Sequence, residues 1–231
     1  MDRILLEGNP PVEVAVRRSA RARRLSLRVS ALDGRVTLSM PAGMDLRHAR
    51  DFAAQKAPWI RRHLERHVAA DRPAPGGSLP LRGQDTPIRV ADVRAVTEAD
   101  GALWVPGKRA GQTPALLRGY LKEHARIALV AASDAYSRRL GQSYARITLR
   151  DTRSRWGSCT TEGNLMYSWR LIMAPPLVLD YVAAHEVAHL VEMNHSAAYW
   201  AVVARLCPDD ARHRDWLRRN GASLHAIRFS D

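Results

Sequence analysis

The sequence predicts an α+β chain, β-rich towards its N-terminus and helical towards its C-terminus, on three observations. Val12, Val14 and Val16 alternate with Glu13 and Ala15, the period-two pattern of a strand with one buried face. Leu46, Ala49, Phe52, Ala53, Lys56, Ile60 and Leu64 recur at three- and four-residue spacing, which puts them on one stripe of a helix. Two further helical runs, one after Thr113 and an apolar one after Pro176, place most of the helix in the second half.

In chain order, Leu25, Leu27 and Val29 alternate with Ser26 and Arg28. Val36, Leu38 and Met40 repeat the pattern after Asp33-Gly34, so residues 25 to 40 read as a hairpin. The helical stripe runs from Asp45 to about His67 and contains Pro58, which should kink or split it. Residues 71 to 80, beginning at Asp71 and holding Pro73, Pro75, Gly76, Gly77 and Pro80, read as a loop. A second β patch follows, with Ile88, Val90 and Val93, then Leu103, Trp104 and Val105 after an Asp100-Gly101 turn. Thr113-Pro114 suits a helix start, and Gly141 is placed to end that helix near Leu140. Ile147, Leu149 and the stretch from Leu165 to Ile172 read as strands flanking Trp156-Gly157-Ser158. Pro175-Pro176 sets the start of a helix expected over about 176 to 193. Helices over 196 to 206 and 209 to 220 follow, the last capped by Gly221. The expected division is a β-rich and helical region, 1 to 112, and a second region, 113 to 231, that carries the chemistry, with one compact unit as the alternative.

Composition bounds the function. At 231 residues the chain can bury a core of its own. Cys159 and Cys207 are its two cysteines and show no paired spacing, so neither a disulfide framework nor a cysteine metal site is expected. The N-terminal residues carry no apolar signal-like region and no apolar run reaches membrane-spanning length, so the expectation is a soluble, cytoplasmic protein with no membrane partner.

The chemistry sits in His185-Glu186-Val187-Ala188-His189 and in His195. Residues four apart share a helix face, so the imidazoles of His185 and His189 can grip one ion. Glu186 follows the first ligand, where its carboxylate can take a proton from a metal-bound water. His195 lies ten residues after His185, the spacing at which an elongated zincin motif returns a third histidine. Three protein ligands leave a position open for water, which marks a catalytic site rather than a closed structural one. The turn position usually held by glycine is Glu192, so Asn194 is the expected left-handed residue, and Glu192 itself is an alternative ligand.

The segments Ser154-Arg155-Trp156-Gly157-Ser158-Cys159, Trp169-Arg170-Leu171 and Ala174-Pro175-Pro176 appear in order. They are followed by Leu179 through Glu186, Asn194-His195-Ser196 and Tyr199-Trp200. Together they resemble the bacterial YgjP-like family, grouped near the SprT-type zinc peptidases. The resemblance runs from about Val14 through the C-terminal helices and is densest between Ile147 and Leu224. It implies a zincin-like minimal metallopeptidase core, an active-site helix with a short antiparallel sheet. It also implies one Zn²⁺ held by His185, His189 and His195, Glu186 as general base, and a protein or peptide substrate. By analogy with zincins, the substrate-pairing edge strand falls to residues 164 to 172.

Tyr181, Tyr199 and Arg155 are candidates for the donor that stabilises the oxyanion, and Arg155, Trp156 and Tyr199 for contact with substrate. Trp156 to Cys159 read better as a structural strand or a wall of the substrate groove than as the home of a cysteine nucleophile, and Ser158 as a backbone-capping hydroxyl. His63 and His67, also four apart, have Leu64 at the base position and read as a solvated helix face. The formal charge is +13, and Arg17, Arg18, Arg21, Arg23, Arg24 and Arg28 form one basic cluster and Arg61, Arg62 and Arg66 another. Such clusters can bind nucleic acid without sequence preference. The SprT resemblance, whose groups include peptidases acting on DNA-bound proteins, points the same way. Two alternatives therefore stand beside a zinc metalloendopeptidase: a metal-dependent hydrolase of nucleoside triphosphates, and a basic nucleic-acid-associated protein.

Overall fold

The computed structural model describes residues 2–30, 34–65 and 72–229. The chain forms two compact units, Met1–Asp71 and Arg72–Asp231. In the first, β1 (Asp2–Leu6), β2 (Val12–Ser19), β3 (Ser26–Val29) and β4 (Val36–Pro41) form one sheet in the order β1-β2-β4-β3. The β3–β4 hairpin is as expected, with Val29 opposite Val36; Asp33 of its turn lies outside the described residues. Alternation puts Ile4, Leu6, Val12, Val14, Val16, Val36, Leu38 and Met40 on one buried face. Ala49 and Ala53 of α1 (Leu46–Gln55) and Ile60 of α2 (Ala57–Glu65) join the same core. The break at Lys56 falls two residues before Pro58, as the missing amide requires. Arg66, His67 and Asp71 lie outside the described residues.

Two arginines of the expected basic clusters are used inside this unit. Arg18 donates to the carbonyls of Ala42 and Met44 and pairs with Asp2. Arg61 donates to the carbonyls of Glu7 and Pro10. His63 faces the carbonyl of Trp59 through Nδ1 at 2.8 Å.

The second unit begins with β5 (Ser78–Leu81), β6 (Gln84–Ala91), β7 (Thr97–Ala99) and β8 (Ala102–Pro106), ordered β5-β6-β8-β7. The β7–β8 turn places Asp100 and Gly101 at φ 51° and 69°, the two left-handed positions of a tight hairpin. Next comes α3 (Thr113–Leu140), ended as expected by Gly141 at φ 65°. Then follow β9 (Arg146–Arg150), β10 (Gly157–Cys159), β11 (Asn164–Ser168), a 3₁₀ turn over Trp169–Met173, α4 (Pro176–Ala188), α5 (Ala197–Leu206) and α6 (Asp210–Ala226). No helix among the described residues is long and apolar enough to cross a membrane.

Three expectations need correcting. The boundary lies after Asp71, not after 112. Leu79, Leu81, Ile88, Leu103 and Val105 share one core with Leu117, Leu121, Trp169 and Val187. The amides of Arg82 and Gly83 also bond to Ile172 and Met173. The sheet beside α4 is mixed rather than antiparallel: β10 runs antiparallel to β11, but β11 lies parallel to β9, in the order β10-β11-β9. Gly221 is not a cap, because α6 continues through it to Ala226. A Cβ there would stand 2.8 Å from the Trp156 ring, so glycine is needed for close approach.

Arg170 ties the end of α6 to the sheet region. Its buried guanidinium donates Nε to Asp151 Oδ1 at 2.6 Å and Nη2 to Oδ2 at 3.1 Å. Nη1 donates to the carbonyls of Leu224 at 2.7 Å and Ile227 at 3.0 Å. One side chain thereby satisfies carbonyls that a helix C-terminus leaves without partners, while lying against the rings of Trp169 and Phe229.

Candidate metal centre

α4 carries the first two histidines and is buried nearly all round, with Val178, Leu179, Val182, Ala183, Ala184, Val187 and Ala188 in the core. A helix apolar on every face belongs inside a domain. Pro176 opens it where a missing amide costs nothing. The helix ends at Ala188, five residues before the expected Met193. Its last turn tightens through bonds from His189 to Glu186, Leu190 to Val187 and Val191 to Ala188. Among the described residues only Arg82 and Asp100 are non-glycines at positive φ, so Asn194 is not left-handed. The chain instead returns through a tight turn, with the Ser196 amide bonded to the Asn194 carbonyl at 2.7 Å. Ser196 then caps α5 by accepting from the Tyr199 amide.

This return brings His195 to the α4 pair. Ligand nitrogens of His185, His189 and His195 lie within 4.8 Å of one another. The Nε2 atoms of His185 and His195 are 3.3 Å apart. Two nitrogens bound to one tetrahedral ion at about 2.0–2.1 Å would stand about 3.3–3.4 Å apart. His189 directs Nδ1 to the Glu192 carbonyl at 2.9 Å, which leaves Nε2 for a metal, and the Tyr181 hydroxyl stands 3.5 Å from His185 Nδ1. Glu192 thus contributes its carbonyl, and its carboxylate is not in the group.

Electrostatics suits ligation. Burial, reinforced by the neighbouring histidines, pushes His185 down to about 4, and burial lowers His189 as well. Both imidazoles are therefore neutral near pH 7, the form that binds metal. Glu186, 5% exposed, is driven by burial up to about 8, with Arg155 opposing the rise. The donor set fits a divalent transition ion.

Tyr199, a candidate for contact with substrate, packs beneath the metal-site histidines. It is fully buried, its hydroxyl donates to the His185 carbonyl at 3.0 Å, and its ring stacks under His189 at 4.5 Å. Arg155 and Trp156 do line the cavity of about 560 Å³ that opens over the histidines, as do Tyr181 and β10. β11, which holds most of the expected substrate-pairing segment, is the middle strand and has partners on both sides. The remainder of that segment is the buried 3₁₀ turn. Among the described residues β10 pairs only with β11, so its other edge is open beside the cavity. The sequence marks this segment as a strand or groove wall but not as the pairing edge, because three residues are too few to show alternation.

Gly157 on β10 explains why that strand can lie so close. A Cβ there would stand 2.4 Å from Glu186 Oε1 and 2.5 Å from its Cγ. Cys159, raised to about 11 by burial and by the nearby Glu186, stays a thiol and donates to the Thr160 carbonyl.

Trp156 is fixed from behind by His225 of α6, whose ring stacks on it at 4.6 Å. Burial, with Arg170 adding to it, pushes His225 from 6.5 down to about 4. Between those values the unfolded chain binds more protons than the folded one, so stability should fall as pH drops from about 6.5 towards 4. Melting curves of the chain and of His225→Phe should therefore diverge over that window, the wild type losing more. Parallel curves would mean that His225 does not titrate against folding.

Comparison with known proteins gives one family match. The family described as YgjP-like, metallopeptidase domain, matches residues 23–220. No curated protein matches the chain. Among solved structures, the crystal structure of the metallopeptidase zymogen of Pyrococcus abyssi abylysin is similar at 17% identity and a TM-score of 0.37. That match covers 43% of this chain and 97% of that one.

Proposed function

The chain belongs to the YgjP-like metallopeptidase family, and from that premise we propose a zinc-dependent endopeptidase in which Glu186 is the general base. As a metallopeptidase it is a metal-dependent hydrolase of protein or peptide substrates. The observation that carries the finer reading is the convergence of three imidazoles beside a buried carboxylate, under an open cleft. His185, His189 and His195 hold the ion, and three nitrogen donors with a free position favour zinc over magnesium or calcium. Zinc, when bound there, supplies a Lewis acid that activates water and polarises the scissile carbonyl.

The protein's own groups do the rest. Glu186 takes the water's proton on a carboxylate oxygen and passes it to the leaving amine nitrogen. Burial raises its proton affinity, which favours uptake of that proton. An extended peptide adds to the open edge of β10, where backbone groups align it across the histidines. Tyr181, 4% exposed and facing His185 through its hydroxyl, helps orient that ring. Tyr199 anchors the backbone beneath it by donating to the His185 carbonyl.

Zinc binding tests the ligand set without reference to turnover. The purified chain should hold about one zinc per chain, and His195→Ala should weaken zinc affinity by more than the roughly 10–100-fold typical of second-shell changes. Unchanged affinity in His195→Ala would remove His195 from the site.

A further inference from the structure

The cleft over the histidines has a cationic wall whose charges the reaction itself does not use. Arg155 directly precedes the β10 region, while Arg214 and Arg218 sit four residues apart on α6 and so share one face of it. All three line the cavity, and Glu186 is the one carboxylate among the lining residues. Arg218 is paired with Asp215. Arg155 and Arg214 make no ion pair with a carboxylate among the described residues.

Arg214 is nevertheless held in place. Its guanidinium lies 4.9 Å from the centre of the Trp200 ring, and that ring stacks on His195. This cation–π contact holds the guanidinium beside a metal ligand, and no protein carboxylate among the described residues pairs with it. Arg155 stands close enough to Glu186 to act on its charge. A planar guanidinium matches a carboxylate in a two-bond fork, and a chain of net charge +13 draws anions to such a cleft.

Resting on the peptidase reading of this site, we propose that the cleft selects peptides bearing a carboxylate close to the cleaved bond, gripped by Arg155 beside β10 and by Arg214 on α6. The carboxylate belongs either to an aspartate or glutamate side chain or to the peptide's own C-terminus. The grip is electrostatic and partly exposed, so it weakens with salt.

The test uses the zinc-loaded full-length chain and internally quenched peptides that differ only in Glu or Gln within three residues of the bond. Each peptide is made with a free and with an amidated C-terminus. The carboxylate-bearing twin should be cleaved with kcat/KM about 10-fold or more above its neutral twin, the scale of hydrogen bonds to a charged group. That ratio should fall towards one in 0.5 M salt and in Arg155→Gln or Arg214→Gln. A preference for internal Glu identifies a side chain as the anion, and a preference for the free C-terminus identifies the terminal carboxylate. Labelled peptides should show the same preference when bound to Glu186→Gln, read by fluorescence anisotropy. Equal cleavage of all four twins by an active enzyme overturns this inference alone. No cleavage of any peptide by the zinc-loaded chain overturns the peptidase reading and this inference with it.

Discussion

Glu186→Gln should lower kcat/KM for peptide hydrolysis by about 10²–10⁴-fold, the contribution of a positioned general base, while zinc stays bound. The amide occupies the same buried space, 5% exposed in the native residue, without a charge to desolvate, so folding should not suffer. A loss confined to kcat would mark a group acting in the transition state rather than in substrate binding. Gly157→Ala should act through the same carboxylate. Its new methyl would meet Glu186 Oε1, Cγ and Cδ at 2.4–2.7 Å, so the carboxylate must be displaced. A displacement of about 1 Å at the reacting atoms costs on the order of 100-fold in rate. If Glu186→Gln keeps near-native hydrolysis at full zinc occupancy, Glu186 is not the base.

The largest expected effect on stability lies at Arg170. Arg170→Met would leave the Leu224 and Ile227 carbonyls without their donor and remove both bonds to Asp151. Two carbonyls left without their donor cost about 1–3 kcal/mol each, about 2–6 kcal/mol together, while the half-exposed Asp151 is resolvated and adds little. In a unit of this size that is a fall in Tm of roughly 4–24 °C. Asp151→Asn should cost less, because the Asp151 side chain is 46% exposed and its amide oxygen still accepts from the guanidinium. Scanning calorimetry on both variants checks the order. A shift below about 3 °C for Arg170→Met would show that the contact is peripheral. The consequence extends to function: α6 carries Arg214 and Arg218 to the cleft and His225 to the back of Trp156.

What the sequence made legible was local. The metal pattern needs only helical spacing and a ten-residue return, and Pro58, Gly141 and Asp100-Gly101 act within a few residues of themselves. What it hid depends on distant partners. Leu190 and Val191 continue the apolar pattern of α4, so nothing local shows the helix unwinding after Ala188 to bring His195 back. β11 was legible as a strand, but its central place follows from parallel pairing with β9, which no turn signals. Gly221 has the composition of a cap, and only the Trp156 ring packed against it shows why glycine is needed mid-helix. Arg170 stood in plain view in Trp169-Arg170-Leu171, yet its partners lie 19 to 57 residues away. The unit boundary was misplaced for the same reason, because Leu79 and Val105 find their core with α3 and α4 rather than with the strands before Asp71.

The central claim is a single zinc ion held by His185, His189 and His195 with one position left open. X-ray absorption at the zinc edge, on the purified full chain, addresses that coordination directly. It should show three imidazole nitrogens at about 2.0–2.1 Å and one further light-atom ligand, with the imidazole count falling in His195→Ala. A sulfur scatterer near 2.3 Å, or an imidazole count unchanged by that substitution, would contradict it.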